Sequence, residues 1–507
     1  MTSITTSRKR NSIVELSRNA ISHPQMMDFS PAIPMRDSPA KTDPLNPLCE
    51  MGILSALFSH HRCTMSSPQQ VDTIINAQWI LPIVPRGKVY RDCSLVVDQG
   101  RIVAIHPTSD LDHTYSGRQT IDLPHHVLMP GLVNAHGHAA MSLLRGQADD
   151  LPLMTWLQQH IWPLENRWVD EAFVQDGTQL ALLEMLKTGT TCFADMYFFP
   201  EVAATAAHQA GLRAQVCFPV FDFPSAWGRD ADDYLHKGLE LHDSYRSHER
   251  IRVGFGPHAP YTVSDAPLKR IAVLAEELQA PVHIHVHETA GEVAEALSTH
   301  GVRPLRRLLE LGLLSPLTQC VHMTQVDDQD LEDLSSSGAS VIHCPESNLK
   351  LASGLCPVQR LLDAGVTVGL GTDGAASNND LDMFGELATA ALVGKLAAAD
   401  ASALEAHTAL ELATLGGASA LGLDSIIGSL EPGKSADVIA VDLSDSSALP
   451  LYDVASHLVY NNRRSRVTHS WVAGRLLLAD GRALTLDEEE IRNHSHRWQS
   501  RIQGDSP

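Results

Sequence analysis

Val127-Leu128-Met129-Pro130-Gly131-Leu132-Val133-Asn134-Ala135-His136-Gly137-His138 is an apolar run that stops abruptly in two histidines spaced by one residue. Side chains on a strand alternate between its faces, so His136 and His138 at a strand end point the same way and both imidazoles can reach one ion. The chain holds 26 histidines, so this pair alone carries little weight.

Outward from it, three later segments repeat the pattern. In Pro281-Val282-His283-Ile284-His285-Val286-His287-Glu288-Thr289, period-two alternation puts His283, His285 and His287 on one face with Glu288 directly after them. Cys320-Val321-His322 and Val366-Thr367-Val368-Gly369-Leu370-Gly371-Thr372-Asp373-Gly374 are further strand-like runs ending in a titratable residue. Chemistry at strand C-termini is the mark of a (β/α)8 barrel, whose βα loops gather on one face. Amphipathic helical patterns at 170–187, 265–279 and 327–336 lie between the runs, an alternation that builds a parallel sheet with helices outside. Ser264 and Asp265 can cap the second helix, and Gly189 stops the first.

At 507 residues the chain exceeds one ordinary domain. The expected organisation is a disordered leader over 1–67, a first β portion over 68–127, the barrel over 128–425, a second β portion over 426–485 and a C-terminal helix or tail over 486–507. The runs Thr73–Ala77 and Ser94–Asp98, the turn Gln99-Gly100-Arg101 and the return strand Ile102–Ile105 form a hairpin outside the barrel. Similar material at Gly428–Lys434, Ala436–Asp442 and Ser470–Arg475 completes one small β-sandwich from both chain ends. In the leader, Arg8-Lys9-Arg10 is basic, but the apolar patch Ile53–Phe58 is too short and too late for a secretory signal. Met65 offers an alternative start just before the first strand.

The composition, 44% hydrophobic, 5% aromatic and 19% charged, is that of a soluble enzyme-like globule. No run approaches the roughly 20 apolar residues of a membrane span. A formal charge of −22, from 60 acidic against 38 basic residues, disfavours nucleic acid, which needs a basic stripe. Eight cysteines, at 49, 63, 93, 192, 217, 320, 344 and 356, include no Cys-x-x-Cys and point to reduced thiols in a cytoplasmic enzyme.

Five strings then occur in order: Pro130–His138, Leu144-Arg145-Gly146, Gly254-Phe255-Gly256-Pro257-His258-Ala259-Pro260-Tyr261, Ser347-Asn348-Leu349-Lys350-Leu351 and Gly371–Asn379. With them the chain, from about Val71 to Glu490, resembles the amidohydrolase superfamily, and within it the deaminases acting on 5-methylthioadenosine and S-adenosylhomocysteine. The resemblance implies a distorted TIM (β/α)8 barrel carrying His136, His138, His285 and Asp373 as ligands of one divalent metal ion, usually zinc, with a position open for water. Ligand chemistry alone does not separate zinc from iron or manganese. His283 and His287 share the face of His285, and the family spacing His-x-x-Glu favours His285. The run Ile251–His258 offers no lysine to bridge a second metal. Glu288 is implied as the proton shuttle, His322 as the residue orienting the attacking water, and Asp373 as acceptor of its proton.

For the substrate, the resemblance sets Trp156 against the base or sugar, Glu165 on the ribose hydroxyls and His258 beside the reacting ring. A helix-packing tryptophan and a solvated acid are the plain alternatives for the first two. His343, at another strand end, is expected to support the site. Some relatives carry an arginine for the homocysteine carboxylate near the run Gln215–Pro219; Phe218 holds that place here, with Arg229 as a possible substitute from the next loop. An apolar pocket edge favours the methylthio tail, which needs no charge partner. The rivals are a guanine or 8-oxoguanine deaminase, a triazine aminohydrolase or chlorohydrolase, and a metal-binding barrel without catalysis. The implied partner is a small nucleoside, with no nucleic acid and no membrane, in a homo-oligomer.

Overall fold

The computed structural model describes residues 67–461 and 466–504. The leader expected over residues 1–67 lies, but for its last residue, outside them. Four strands come first, β1 (Gln69–Ile80), β2 (Tyr90–Asp98), β3 (Arg101–Pro107) and β4 (Tyr115–Pro130). Gln99 and Gly100, at φ of 48° and 74°, make the tight turn between β2 and β3. Two positive φ values match the right-handed strand twist in such hairpins. Gly100 is needed there twice over, since a Cβ would lie 2.6 Å from the Ala473 carbonyl oxygen.

The barrel follows as β5 (Leu132–Asn134), β6 (Thr190–Met196), β7 (Arg213–Val220), β8 (Ile251–Pro257), β9 (Val282–Val286), β10 (Thr318–His322), β11 (Ser340–His343) and β12 (Val368–Leu370). These eight strands are parallel neighbours in chain order. The seam between β12 and β5 closes through Ala135 N to Leu370 O at 2.8 Å and Asp373 N to His136 O at 3.1 Å. Gly371 lets the strands approach, because a Cβ there would lie 2.7 Å from His136 N. Both faces of the barrel strands are buried, as parallel sheets require. On β9, Val282, Ile284 and Val286 turn outward into the core beneath the helices, leaving the alternate histidines for the interior.

The helices stand where the pattern predicts. Glu171–Lys187 starts from Asp170, whose carboxylate accepts from Phe173 N at 2.8 Å, and ends before Gly189. Asp328–Ser337 opens with a reciprocal capping box between Asp327 and Asp330. Asp265–Leu278 has Ser264 at its N-cap, but the serine side chain makes no capping bond.

The chain returns in β13 (Val438–Asp442), β14 (Val467–Val472), β15 (Arg475–Ala479) and β16 (Arg482–Ala483), then a helix, Glu488–Gly504. β13 pairs antiparallel with β4, from Val438 opposite Pro130 to Asp442 opposite His126, so both chain ends share one eight-stranded sheet. Alternate side chains from both ends, among them Ile75, Leu95, Leu128, Val438 and Trp471, fill a single core. A buried ion pair ties this sheet to the barrel: Arg213 on β7 reaches Asp437 at 3.0 Å, with side chains 5% and 1% exposed.

Removing one partner of a buried pair strands the other charge, at a cost of about 3–5 kcal/mol. Asp437→Ala should therefore lower the unfolding free energy obtained from urea denaturation by that amount. A loss under about 1 kcal/mol would mean that the Arg213 guanidinium is satisfied by its other partners.

Candidate active site

Histidines and carboxylates meet at the C-terminal mouth of the barrel. His136 and His138 follow β5, His285 lies on β9, His322 ends β10 and Asp373 follows β12. Asn134 pins two of these segments together: its Oδ1 accepts from Thr372 N at 3.0 Å and its Nδ2 donates to Thr372 Oγ1 at 2.8 Å. Asp373 Oδ1 then lies 3.3 Å from His136 Nε2 and 3.2 Å from His138 Nε2. Its Oδ2 accepts from the hydroxyls of Ser347 and Ser377 at 2.7 and 2.9 Å. Two triads with donor atoms within 4.8 Å of one another share His136: one with His138 and Asp373, the other with His285 and His322.

The outer nitrogens orient the rings. His138 Nδ1 faces the Met196 carbonyl at 2.6 Å, and His285 Nδ1 the His258 carbonyl at 2.7 Å. A carbonyl only accepts, so each Nδ1 carries a proton and each Nε2 is turned to the centre. His322 Nδ1 bonds Asn348 Oδ1 at 2.9 Å and His136 Nδ1 bonds His283 Nε2 at 2.7 Å. Burial, first of all, holds His136 and His285 well below the usual imidazole range, the neutral form a metal requires. Burial would raise the Asp373 carboxyl, but the His136 and His138 rings beside it outweigh that and hold it well below the carboxylate range. Burial also opposes protonation of His138, yet the bond and charge of Asp373 push it up to about 9.

These residues fit a divalent cation. The buried His136 Nε2 makes no hydrogen bond, although it faces a carboxylate oxygen. The proton that His138 and Asp373 hold between them stands where positive charge is favoured. Imidazole nitrogens and carboxylate oxygens, which the two triads offer between them, are donors that a divalent ion such as zinc takes. β8 supplies no lysine that could bridge a second ion.

Glu288 sits beside this cluster, its Oε2 4.0 Å from His322 Nε2. Burial, reinforced by the charge of Asp373, raises its carboxyl to about 8. Of the three histidines on one predicted face, His283 lies deeper, against His136, and His287 turns away at φ 53° to accept from Leu305 N at 3.1 Å.

A cavity of about 390 Å³ opens above the cluster, within the range of small-molecule sites. His138, His285, Glu288, His322 and Asp373 form its floor; Trp156, Glu165 and His258 stand in its wall. The Trp156 indole N–H is buried without a hydrogen bond. Glu165 accepts from the Tyr197 hydroxyl at 2.7 Å, and burial raises its carboxyl to about 7. His258 bonds Thr262 Oγ1 through Nδ1 at 3.0 Å, and burial lowers its ring to about 3.

The structure does not bring Arg229 to the site. Its side chain is 82% exposed and pairs with Asp233 at 3.1 Å. Phe218 also stays outside: it packs under Gly238 and against Phe255, because its position on β7 faces the helices. The edge it was expected to form is made by Pro219, Phe221, Phe223 and Pro224. His343 contributes its carbonyl, which accepts from Gly371 N at 3.0 Å, while its ring Nδ1 makes no hydrogen bond.

Sequence reasoning missed Glu292. Its carboxylate accepts from His287 N at 3.0 Å and Glu288 N at 2.7 Å, fixing the turn that presents Glu288. The signal was legible, since Thr289-Ala290-Gly291-Glu292 has the spacing of a capping box at the start of the helix Ala290–His300. Also missed was the π-helical turn Leu157–Ile161. Leu153, Leu157, Ile161, Glu165 and Val169 recur every fourth residue in the cavity wall. Four residues overshoot an α-turn and fall short of the wider π-turn, so the two drifts oppose and the stripe keeps facing the cavity.

A model of the amidohydrolase family matches residues 127–477. A 5-methylthioadenosine/S-adenosylhomocysteine deaminase of Saccharophagus degradans is 58% identical over 439 residues, 87% of this chain and 98% of that protein. A zinc-bound adenosine deaminase structure from Xanthomonas campestris is 48% identical with a TM-score of 0.85, covering 86% of this chain and all of the other. An atrazine chlorohydrolase structure from Arthrobacter aurescens, 24% identical with a TM-score of 0.79 over 84% of this chain and 99% of its own, shares the fold. With a metal-competent cluster at the mouth of a (β/α)8 barrel and relatives this close, the chain belongs to the amidohydrolase family, among the 5-methylthioadenosine/S-adenosylhomocysteine deaminases, hydrolases that act on carbon–nitrogen bonds.

Proposed function

We propose that this chain is a zinc-dependent hydrolytic deaminase of adenosine-type nucleosides that prefers 5-methylthioadenosine to S-adenosylhomocysteine. The observation carrying the preference is the cavity wall: among the described residues none of its lining side chains is a lysine or arginine, while Leu153, Leu157, Trp162, Phe221 and Phe223 line it. A methylthio group gains from such a surface, whereas a homocysteine carboxylate would be desolvated without a cation.

His136, His138, His285 and Asp373 would hold the ion. When bound, it supplies Lewis acidity that brings the ionisation of a water molecule towards neutral pH. Glu288, protonated at neutral pH by its raised pKa, donates to the purine ring nitrogen as oxygen adds to the carbon bearing the amino group. His322, its Nδ1 engaged by Asn348, offers the Nε2 lone pair that aims the water. Asp373 takes one of the water's protons and passes it to the departing amino group, which leaves as ammonia, while the other proton of the added oxygen returns to Glu288, giving the inosine-type nucleoside. Glu165 accepts the two ribose hydroxyls, Trp156 lies against the base, and His258 stands beside the ring. The six described cysteines are buried and unpaired, which supports a reducing, cytoplasmic setting. No helix among the described residues is long and apolar enough to cross a membrane.

Three measurements test this reading. Glu288→Gln should lower kcat for 5-methylthioadenosine by about 10²–10⁴-fold while zinc remains bound; near-native turnover would remove Glu288 from the proton-transfer role. The adenine-to-hypoxanthine absorbance change should give kcat/KM roughly 10- to 100-fold higher for 5-methylthioadenosine than for S-adenosylhomocysteine, the equivalent of about 1–3 kcal/mol for an unanswered charge. Equal values would discard the tail argument, and no change with any nucleoside would favour ring substrates without ribose. As the Glu165 carboxyl titrates near 7, protonation below that pH removes an acceptor, so KM should rise on acidification in the native enzyme and stay flat in Glu165→Gln.

A further inference from the structure

One proposed ligand is oriented differently from the others. His138 and His285 lean on backbone carbonyls, which no substitution removes. His136, fully buried, leans on a side chain, His283, itself fully buried. Behind it, His283 Nδ1 meets Gln319 Oε1 at 2.7 Å, and Gln319 Nε2 donates to the Ala420 carbonyl at 3.0 Å.

The direction of this chain is forced from its far end. The Ala420 carbonyl has only lone pairs, so the Gln319 amide must turn its NH2 there and its oxygen towards His283. Gln215 agrees, since its Nε2 donates to the same Gln319 oxygen at 2.7 Å. An amide oxygen only accepts, so the His283 proton sits on Nδ1 and Nε2 keeps a lone pair. That lone pair accepts the His136 Nδ1 proton, which leaves His136 Nε2 bare and facing Asp373 Oδ1 at 3.3 Å.

We propose that Gln319 and His283 are positioning residues which, anchored on the Ala420 carbonyl, select the tautomer of His136 that binds metal. The inference rests on the reading of His136 as a ligand. A satisfied core histidine would look the same in the fold, but its loss would weaken folding without touching the ion. Replacing His283 by leucine leaves the His136 Nδ1 proton unanswered in a buried site, so the ring favours the other tautomer, with its proton aimed at the metal position. Replacement by glutamine returns an amide oxygen near the lost nitrogen and restores the acceptor.

The test is zinc affinity, measured by competition with a chromophoric chelator on full-length native protein, His283→Leu, His283→Gln and Gln319→Met. Thermal midpoints of the metal-free forms are read alongside. His283→Leu should bind zinc about 10- to 100-fold more weakly, the range for partners behind a ligating histidine. His283→Gln should recover most of that loss, and Gln319→Met should lose less than His283→Leu. Affinity within threefold of native in both His283→Leu and Gln319→Met would overturn the proposal, as would equal losses in His283→Leu and His283→Gln. Gln319→Met carries the test if His283→Leu fails to fold. Native protein that holds no zinc would instead overturn the reading of His136 as a ligand, and this proposal with it.

Discussion

Burying a carboxylate costs several kcal/mol unless donors or cations answer it, and Asp373 is buried at the mouth of the barrel. Two serine hydroxyls and the N–H of Gly374 take up part of its charge. The oxygen shared with His136 and His138 accepts from the Gly374 N–H and keeps a lone pair for a cation. The backbone of the same residue bonds His136 O and helps close the barrel seam. Closing the barrel and assembling the metal-competent cluster are therefore one event, and a disturbance at Asn134, Gly371 or Thr372 reaches both.

Several chemistry-bearing positions leave their strands through left-handed backbone: His287 at φ 53°, His322 at 75° and Asp373 at 62°. For residues other than glycine this costs on the order of 1–3 kcal/mol each. Neighbouring ladders hold the strain, with Met323 N on Val286 O and Thr324 N on His287 O. The bend at His287 removes it from the face it shares with His285 and sets Glu288 beside the cluster. Glu292 then accepts both amides of that turn, so the proposed acid is presented by rigid backbone.

The substrate wall depends on the far end of the chain. Trp156, Leu157, Ile161, Val169 and Tyr197 share a hydrophobic cluster with Trp498 and Ile502 of the last helix. The Trp498 indole donates to Asp176 at 2.8 Å and its ring meets Phe173 edge-on, fixing that helix against Glu171–Lys187. A long lining segment with a π-turn thus gains a second support outside the barrel, which suits a wall that must stay apolar yet shaped.

Much of this was legible in the sequence. Alternating runs ending in histidine or aspartate, separated by amphipathic stretches, determined a parallel barrel with its chemistry on one face, because side-chain period and strand polarity are local properties. The same locality made Gln99-Gly100 readable as a turn and Gly189 as a helix stop, whereas Ser264, read as a cap, makes no capping bond. The family spacing favoured His285 among three like-facing histidines, and tertiary structure supplied the reason: a backbone bend held by another strand turns His287 away, and His283 lies against His136. Tertiary structure alone decided that Arg229 and Phe218 stay out of the cavity, since a loop's direction and a strand's inner face depend on neighbours distant in the chain. The order of hydrogen bonds from Ala420 to His136 spans 284 positions and exists only once the barrel is closed.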